Sequence, residues 1–131
     1  MNQIIDRFDV GVEQGPEWLF VRLAPPVAGR PRRGGDLGQG IWELVREHGA
    51  VRVVVELDGI ESIDEALLDG LAAVGERLAR QGGFTRLCGL SGDNLAFYEA
   101  CRSVEHLPHF SCRREAVAAG AWEFARPALP R

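Results

Sequence analysis

The sequence predicts a single α/β domain in which a mixed sheet of four to five strands is flanked by about four helices. Three observations lead there. Short runs rich in β-branched and aromatic residues alternate with segments whose apolar residues recur at helical spacing. One of those runs, residues 51–57 (VRVVVEL), is almost continuously apolar, the pattern of a central strand buried on both faces. A chain of 131 residues can bury one substantial core but has little room for a second.

Along the chain the order reads β-β-α-β-α-β-α-β-α. Residues 8–14 (FDVGVEQ) alternate apolar with polar or small side chains and stop at Gly15-Pro16. Residues 18–23 (WLFVRL) follow, so the two runs predict an antiparallel pair. Pro25-Pro26 ends the second strand, because proline cannot continue a ladder. Residues 24–36 hold three prolines, three glycines and Arg30, Arg32 and Arg33, and read as a solvated loop. Asp36 is the expected N-cap of a helix whose apolar face is Leu37, Ile41, Leu44 and Val45, and Gly49 closes it.

After the central strand, residues 65–80 form a helix with Leu67, Leu68, Leu71, Val74 and Leu78 on one face. Gly70 and Gly75 weaken that helix, which points to close approach of a neighbouring sheet. Residues 84–90 (FTRLCGL) predict another strand. Ser91 is expected to cap a helix carrying Leu95, Phe97, Tyr98 and Cys101. A short strand around 107–110 precedes a last helix capped by Ser111. The domain is expected to span residues 1–131, with its core at about 8–121. Residues 123–131 read as a loose tail, although Trp122 and Phe124 could dock on the body.

Composition narrows the function. A formal charge of −4 argues against nucleic acid, which is bound through a basic face. No apolar run is long enough to span a membrane, and residues 1–8 lack the pattern of a signal peptide, so the cytoplasm is expected. Cys88, Cys101 and Cys112 are too few and too irregular for a disulfide scaffold, which fits a reducing compartment. All fifteen basic residues are arginines. Without lysine there can be no Walker phosphate loop, Schiff-base chemistry or protein-kinase strand lysine. No nucleophile–base pair can be assembled from spacing, and the chain is read as a non-enzyme without cofactor.

Other constellations are weaker. His106, His109 and Cys112 have H-x-x-H-x-x-C spacing, but with Pro108 and a strand expected there the side chains do not converge, and no metal site is assigned. Cys88 sits mid-strand and is read as core. Residues 34–40 are glycine-rich before a helix without matching G-x-G-x-x-G, and read as a mobile linker. Asp58 ends a central strand as a receiver-domain aspartate does, yet the lysine and the acidic pair of that machinery are missing.

From Val51 onward the chain resembles a STAS domain, the fold of bacterial anti-sigma-factor antagonists. A hydrophobic strand leads through Leu57-Asp58-Gly59-Ile60 into Ile63-Asp64 and a leucine-rich helix. That helix stops at Gln81-Gly82-Gly83, and the next strand closes on Gly89-Leu90-Ser91. Leu107-Pro108-His109-Phe110-Ser111 then leads into Arg114-Glu115-Ala116-Val117. The resemblance implies a sheet flanked by helices and a partner that is an anti-sigma factor or serine-kinase-type regulator. It also implies a switch at a serine that follows an aspartate before the main helix. Here that pair is Asp64-Glu65, so the phosphosite-equivalent residue is a glutamate and the usual switch is not expected.

Glu65 admits two readings. It could hold the surface in a state electrically similar to the phosphorylated one. A phosphoserine carries about −1.5 to −2 charges where glutamate carries one. Alternatively, Ser62-Ile63-Asp64-Glu65 fits S-x-x-E, a capping box in which Glu65 closes the helix end, and Asp64 could equally be the cap. Glu56, Asp58, Glu61, Asp64, Glu65 and Asp69 form a one-sign stretch with no arginine among them, suited to steering a basic partner. Asp58, Asp64, Glu65, Leu67, Ser91 and Asn94 are therefore the expected partner-facing residues. A homodimer stays open. The rival reading is a small-ligand carrier for a nucleotide or lipid, with an enclosed pocket beside Ser91.

Overall fold

A computed structural model describes residues 2–101 and 107–119. His106, Trp122, Phe124 and the 123–131 tail lie outside the described residues. The chain opens with β1 (Asn2–Ile5), β2 (Phe8–Gln14), β3 (Leu19–Ala24) and the two-residue β4 (Arg32–Arg33). There follow α1 (Leu37–Glu47), β5 (Arg52–Glu56), α2 (Glu65–Arg80), β6 (Phe84–Cys88), α3 (Gly92–Ala100), β7 (His109–Phe110) and α4 (Arg113–Ala118). One sheet results, in the order β4-β1-β2-β3-β5-β6-β7. Its first three strands run antiparallel, while β3, β5, β6 and β7 pair in parallel.

The sheet has seven strands rather than four to five, and the additions are instructive. Asp6 takes a left-handed φ of 58°, a conformation aspartate tolerates, and so turns Ile5 back onto Phe8. The ordered body therefore begins before residue 8: Ile4 and Ile5 are buried. β4 arises inside the arginine loop by pairing with Ile4 and Ile5. That loop is tied down, not free. Arg33 reaches Glu47 (2.8 Å), Glu43 (3.2 Å) and Gln3 (2.8 Å), and Arg30 pairs with the buried Asp9 at 3.2 Å.

Period-two alternation assigns the faces. Val10, Leu19, Val21, Leu23, Val53, Val55 and Leu87 join one large core with α1 and α2. Val54 and Cys88 point to the other face, where Ala116 of α4 covers them. Because β5 is buried on both sides, its sequence carries no alternation. In α1, Asp36 accepts the Gln39 N–H at 2.8 Å as the expected N-cap.

Two glycine readings change. A Cβ on Gly38 would lie 2.9 Å from the Gly70 carbonyl oxygen, so this pair sets the close crossing of α1 on α2. Gly70 thus meets a helix, not the sheet, and Gly38 belongs to α1 rather than to a linker. The last helix starts after Cys112, not Ser111, whose hydroxyl instead donates to Glu115 at 2.6 Å.

Candidate functional site

The parallel strands β5 and β6 deliver two loops side by side at their C-terminal ends, the position where open α/β sheets present functional groups. The loop after β5 is anchored from within. Ile60 and Ile63 are buried in the main core together with Leu68, the arrangement of a hydrophobic staple across the start of α2. The neighbouring loop approaches so closely that a Cβ on Gly89, whose φ is +91°, would lie 2.8 Å from the Asp58 backbone nitrogen.

Asp64 is the N-cap of α2. Its Oδ1 accepts the Leu67 N–H at 2.9 Å, and the Arg7 guanidinium reaches both carboxylate oxygens at 2.8 and 2.9 Å. The backbone bond, with Arg7 beside it, holds the carboxyl below the usual aspartate range despite some desolvation. The capping-box reading therefore falls: Asp64 caps the helix, not Ser62, and Glu65 is its first residue. Glu65 is exposed and makes no hydrogen bond or ion pair among the described residues. A carboxylate in this first turn gains roughly 0.3–1 kcal/mol from the helix dipole.

The remaining expected residues divide. Asp58 is exposed and forms a two-point pair with Arg22, at 3.1 and 3.2 Å. Ser91 is exposed at the start of α3, and its hydroxyl makes no hydrogen bond among the described residues. Leu67 is only 1% exposed and packs in the main core, so it does not face a partner. Asn94 is half-buried and acts as a brace. Its Nδ2 donates to the carbonyls of Ile60 and Glu61 at 3.1 Å each, and its Oδ1 accepts the Ile63 N–H at 3.0 Å.

The one-sign stretch is also smaller in space than in sequence. Glu56 is 4% exposed and lies between Arg22 and Arg113. With Asp58 and Asp64 paired as well, and Asp69 also engaged, Glu61 and Glu65 are the stretch's exposed acids whose carboxylates have no partner among the described residues. The neutralising arginines come from β3, from the β1–β2 turn and from α4. No local pattern in the sequence announces them.

The thiols and imidazoles have structural surroundings. Burial, reinforced by the charges of Glu56 and Asp58, pushes the Cys88 thiol up to about 12. His109 Nε2 accepts the Leu90 N–H at 3.0 Å, and burial lowers its pKa. Tyr98 donates to the Leu107 carbonyl at 2.5 Å. Among the described residues no cluster of His, Cys, Asp and Glu is arranged to hold a metal ion, and no helix is long and apolar enough to cross a membrane. A groove of roughly 550 Å³ opens between α1 and α2. Ser91 is not among its walls, and Asp6, Asp36 and Asp69 on them outnumber the single cation Arg77, a balance that disfavours a phosphate or carboxylate ligand.

With this architecture in hand, the class is defined: the chain has a STAS-like fold, a mixed sheet with helices on both faces. Solved structures share it, and two of them illustrate the likeness. One is the protein TM1081, determined by NMR, at a TM-score of 0.63 and 12% identity over 82% of this chain and 84% of that one. The other is Moorella thermoacetica RsbS carrying a serine-to-glutamate substitution, at a TM-score of 0.62 and 10% identity over 83% and 92%. No family model and no curated protein matches the sequence.

Proposed function

We propose that the chain is a non-enzymatic protein-binding module of the anti-sigma-factor antagonist type, acting in the bacterial cytoplasm in the control of transcription. Its partner is an anti-sigma factor or a serine-kinase-type regulator with a basic docking face. The docking surface is the N-terminal end of α2 with the loop before it: Glu65 and Glu61 at the centre, Asp58 and Asp64 with their arginines at the rim, and Ser91 alongside. The observation that carries this reading is the exposed, unengaged carboxylate of Glu65 in the opening turn of α2. Similarity of fold to RsbS supports the type of module.

A fixed glutamate gives this surface one permanent charge and no phosphorylation cycle at that position. It holds the surface in the state electrically nearer to phosphoserine than to serine, at roughly half of phosphoserine's charge or somewhat more. Long-range attraction to a basic partner then speeds encounter and weakens as salt rises.

The test is capture from the native lysate with mass-spectrometric identification, followed by titration of the purified partner against wild type, Glu65→Ala, Glu65→Ser and Glu65→Lys. A kinase- or anti-sigma-type partner whose affinity falls with Ala and Ser, and most with Lys, is the expected result. Capture of no such regulator, or equal affinity for all four proteins, refutes the reading.

A further inference from the structure

The two faces of the sheet are covered very unequally. One carries α1, α2 and the large core. On the other, the buried cluster is Val54, Cys88 and Ala116, with Trp18, Phe20, Phe110 and Val117 packed partly against it. Its lid is α4, six residues long, with Ala116 as its buried side chain. A helix this short has no stability of its own in water.

Arginines hold it at both ends. Arg113, in the first turn, donates through Nε to the buried Glu56 and through Nη2 to Glu13 at 3.1 Å, with its guanidinium carbon 4.0 Å from the centre of the Phe20 ring. Arg86, rising from β6, donates Nη1 to the carbonyls of Ala116 at 2.5 Å and Ala119 at 2.6 Å. Its guanidinium carbon lies 4.9 Å from the ring centre of Trp18 and 5.6 Å from that of Phe110.

We propose that α4 is a latch, opening as a unit while the sheet, α1 and α2 stay folded, and baring the β5–β6 face with Val54, Cys88 and Phe110. Local opening costs least where few apolar contacts are lost, and α4 has one buried side chain to lose where α2 has five. The floor beneath it is suited to the open state as well. Arg86 is 1% exposed when α4 is closed, and opening returns a desolvated guanidinium to water. An apolar residue there would instead penalise opening. Arg113 is partly exposed, so its pairing weakens as salt rises.

Cys88, 3% exposed under α4, is a built-in reporter. The experiment is alkylation of the wild-type protein, with Cys88 read by tandem mass spectrometry, alongside hydrogen exchange of α4, α2 and β5, in denaturant well below the unfolding transition. A local latch gives Cys88 labelling and α4 exchange that are insensitive to denaturant and rise with salt. In Arg113→Gln both accelerate by about tenfold or more while the β5 and α2 amides keep their rates. Cys88 labelling that follows global unfolding in the wild-type protein overturns the proposal, and so does equal acceleration of all amides in the variant. The wild-type arm stands even if Arg113→Gln fails to fold.

Discussion

Replacing Asn94 by alanine tests the claim that α3 positions the loop that carries Glu61 and leads to Glu65. The side chain makes three hydrogen bonds, to the Ile60 and Glu61 carbonyls and from the Ile63 N–H. Ile60 is 8% exposed and Ile63 6%, so their backbone groups are poorly placed to find water once the amide is gone. Glu61 is exposed, and its carbonyl can be rehydrated. Counting two bonds in full and the third at little, with about 0.5–1.5 kcal/mol net for each, the expected loss is roughly 1–3 kcal/mol. For a chain of this size each kcal/mol lowers the melting temperature by roughly 4 °C.

Urea unfolding followed by tryptophan fluorescence measures the loss, which should appear as a shifted midpoint at constant slope. Asn94→Asp is the discriminating partner. It keeps the acceptor for the Ile63 N–H but sets a carboxylate against two carbonyl oxygens, so it should destabilise more than alanine does. If alanine costs under about 0.5 kcal/mol, as an ordinary surface substitution does, or if aspartate is the milder change, Asn94 is not a brace and the loop is held by its isoleucines alone.

Three further outcomes are expected. Gly38→Ala places a methyl 2.9 Å from the Gly70 carbonyl oxygen and should cost about 1–3 kcal/mol in urea unfolding, whereas Gly34→Ala, with nothing within 4 Å, should be nearly neutral. Under native conditions a thiol reagent should modify the exposed Cys112 far faster than Cys88, whose thiol is buried and pushed up to about 12; equal rates at the two would contradict that burial. Stability should decline with acid partly through His109. Its folded pKa lies below the ordinary 6.5, so the contribution is complete above 6.5 and shrinks below it as the unfolded chain takes up the proton first. A His109→Gln variant should lose that part of the acid slope, and an unchanged slope below 6.5 would exclude His109 as its source.

Much of the fold was readable because its elements carry their own signals. The span of α2 follows from a sustained helical period and Gln81-Gly82-Gly83, while the sequence leaves its cap open between Ser62 and Asp64 and the structure decides for Asp64. β5 follows from its unbroken apolar run. β1 and β4 carry no such signal. Asn2-Gln3-Ile4-Ile5 does not alternate, and Arg32–Arg33 is a strand only because Ile4 and Ile5 lie beside it. Pairing of that kind is set by distant residues. Leu67 is a different case, since the helical period already excluded it from the surface shared by Glu65. Two residues along an α-helix is about 200° around its axis, so an exposed position 65 implies a position 67 turned inward. Proximity in sequence is not proximity on a face.

The same distinction governs the electrostatics of the site. Counted along the chain, residues 56–69 hold six acids and no arginine, which suggests a broad negative field. Folding imports the counter-charges: Arg7 across 57 residues to Asp64, Arg22 across 36 to Asp58, and Arg113 across 57 to Glu56. Each pair removes a carboxylate from the long-range field while leaving it as a local acceptor. On the proposed docking reading, what a basic partner meets at the opening turn of α2 is dominated by Glu61 and Glu65, with Asp69 one turn further on, and what it meets at contact includes arginines it must avoid or displace. If the proposed docking surface holds, a partner bearing a uniform basic patch would be repelled at the rim, and the complementary surface would be a narrow basic projection flanked by acceptors. This predicts that charge reversal at Glu65 weakens association far more than reversal at Asp58, where the introduced cation also repels Arg22 but lies at the edge of contact. Association kinetics at low and high salt would measure the difference, and equal losses at the two positions would mean that the partner senses total charge rather than the opening turn of α2.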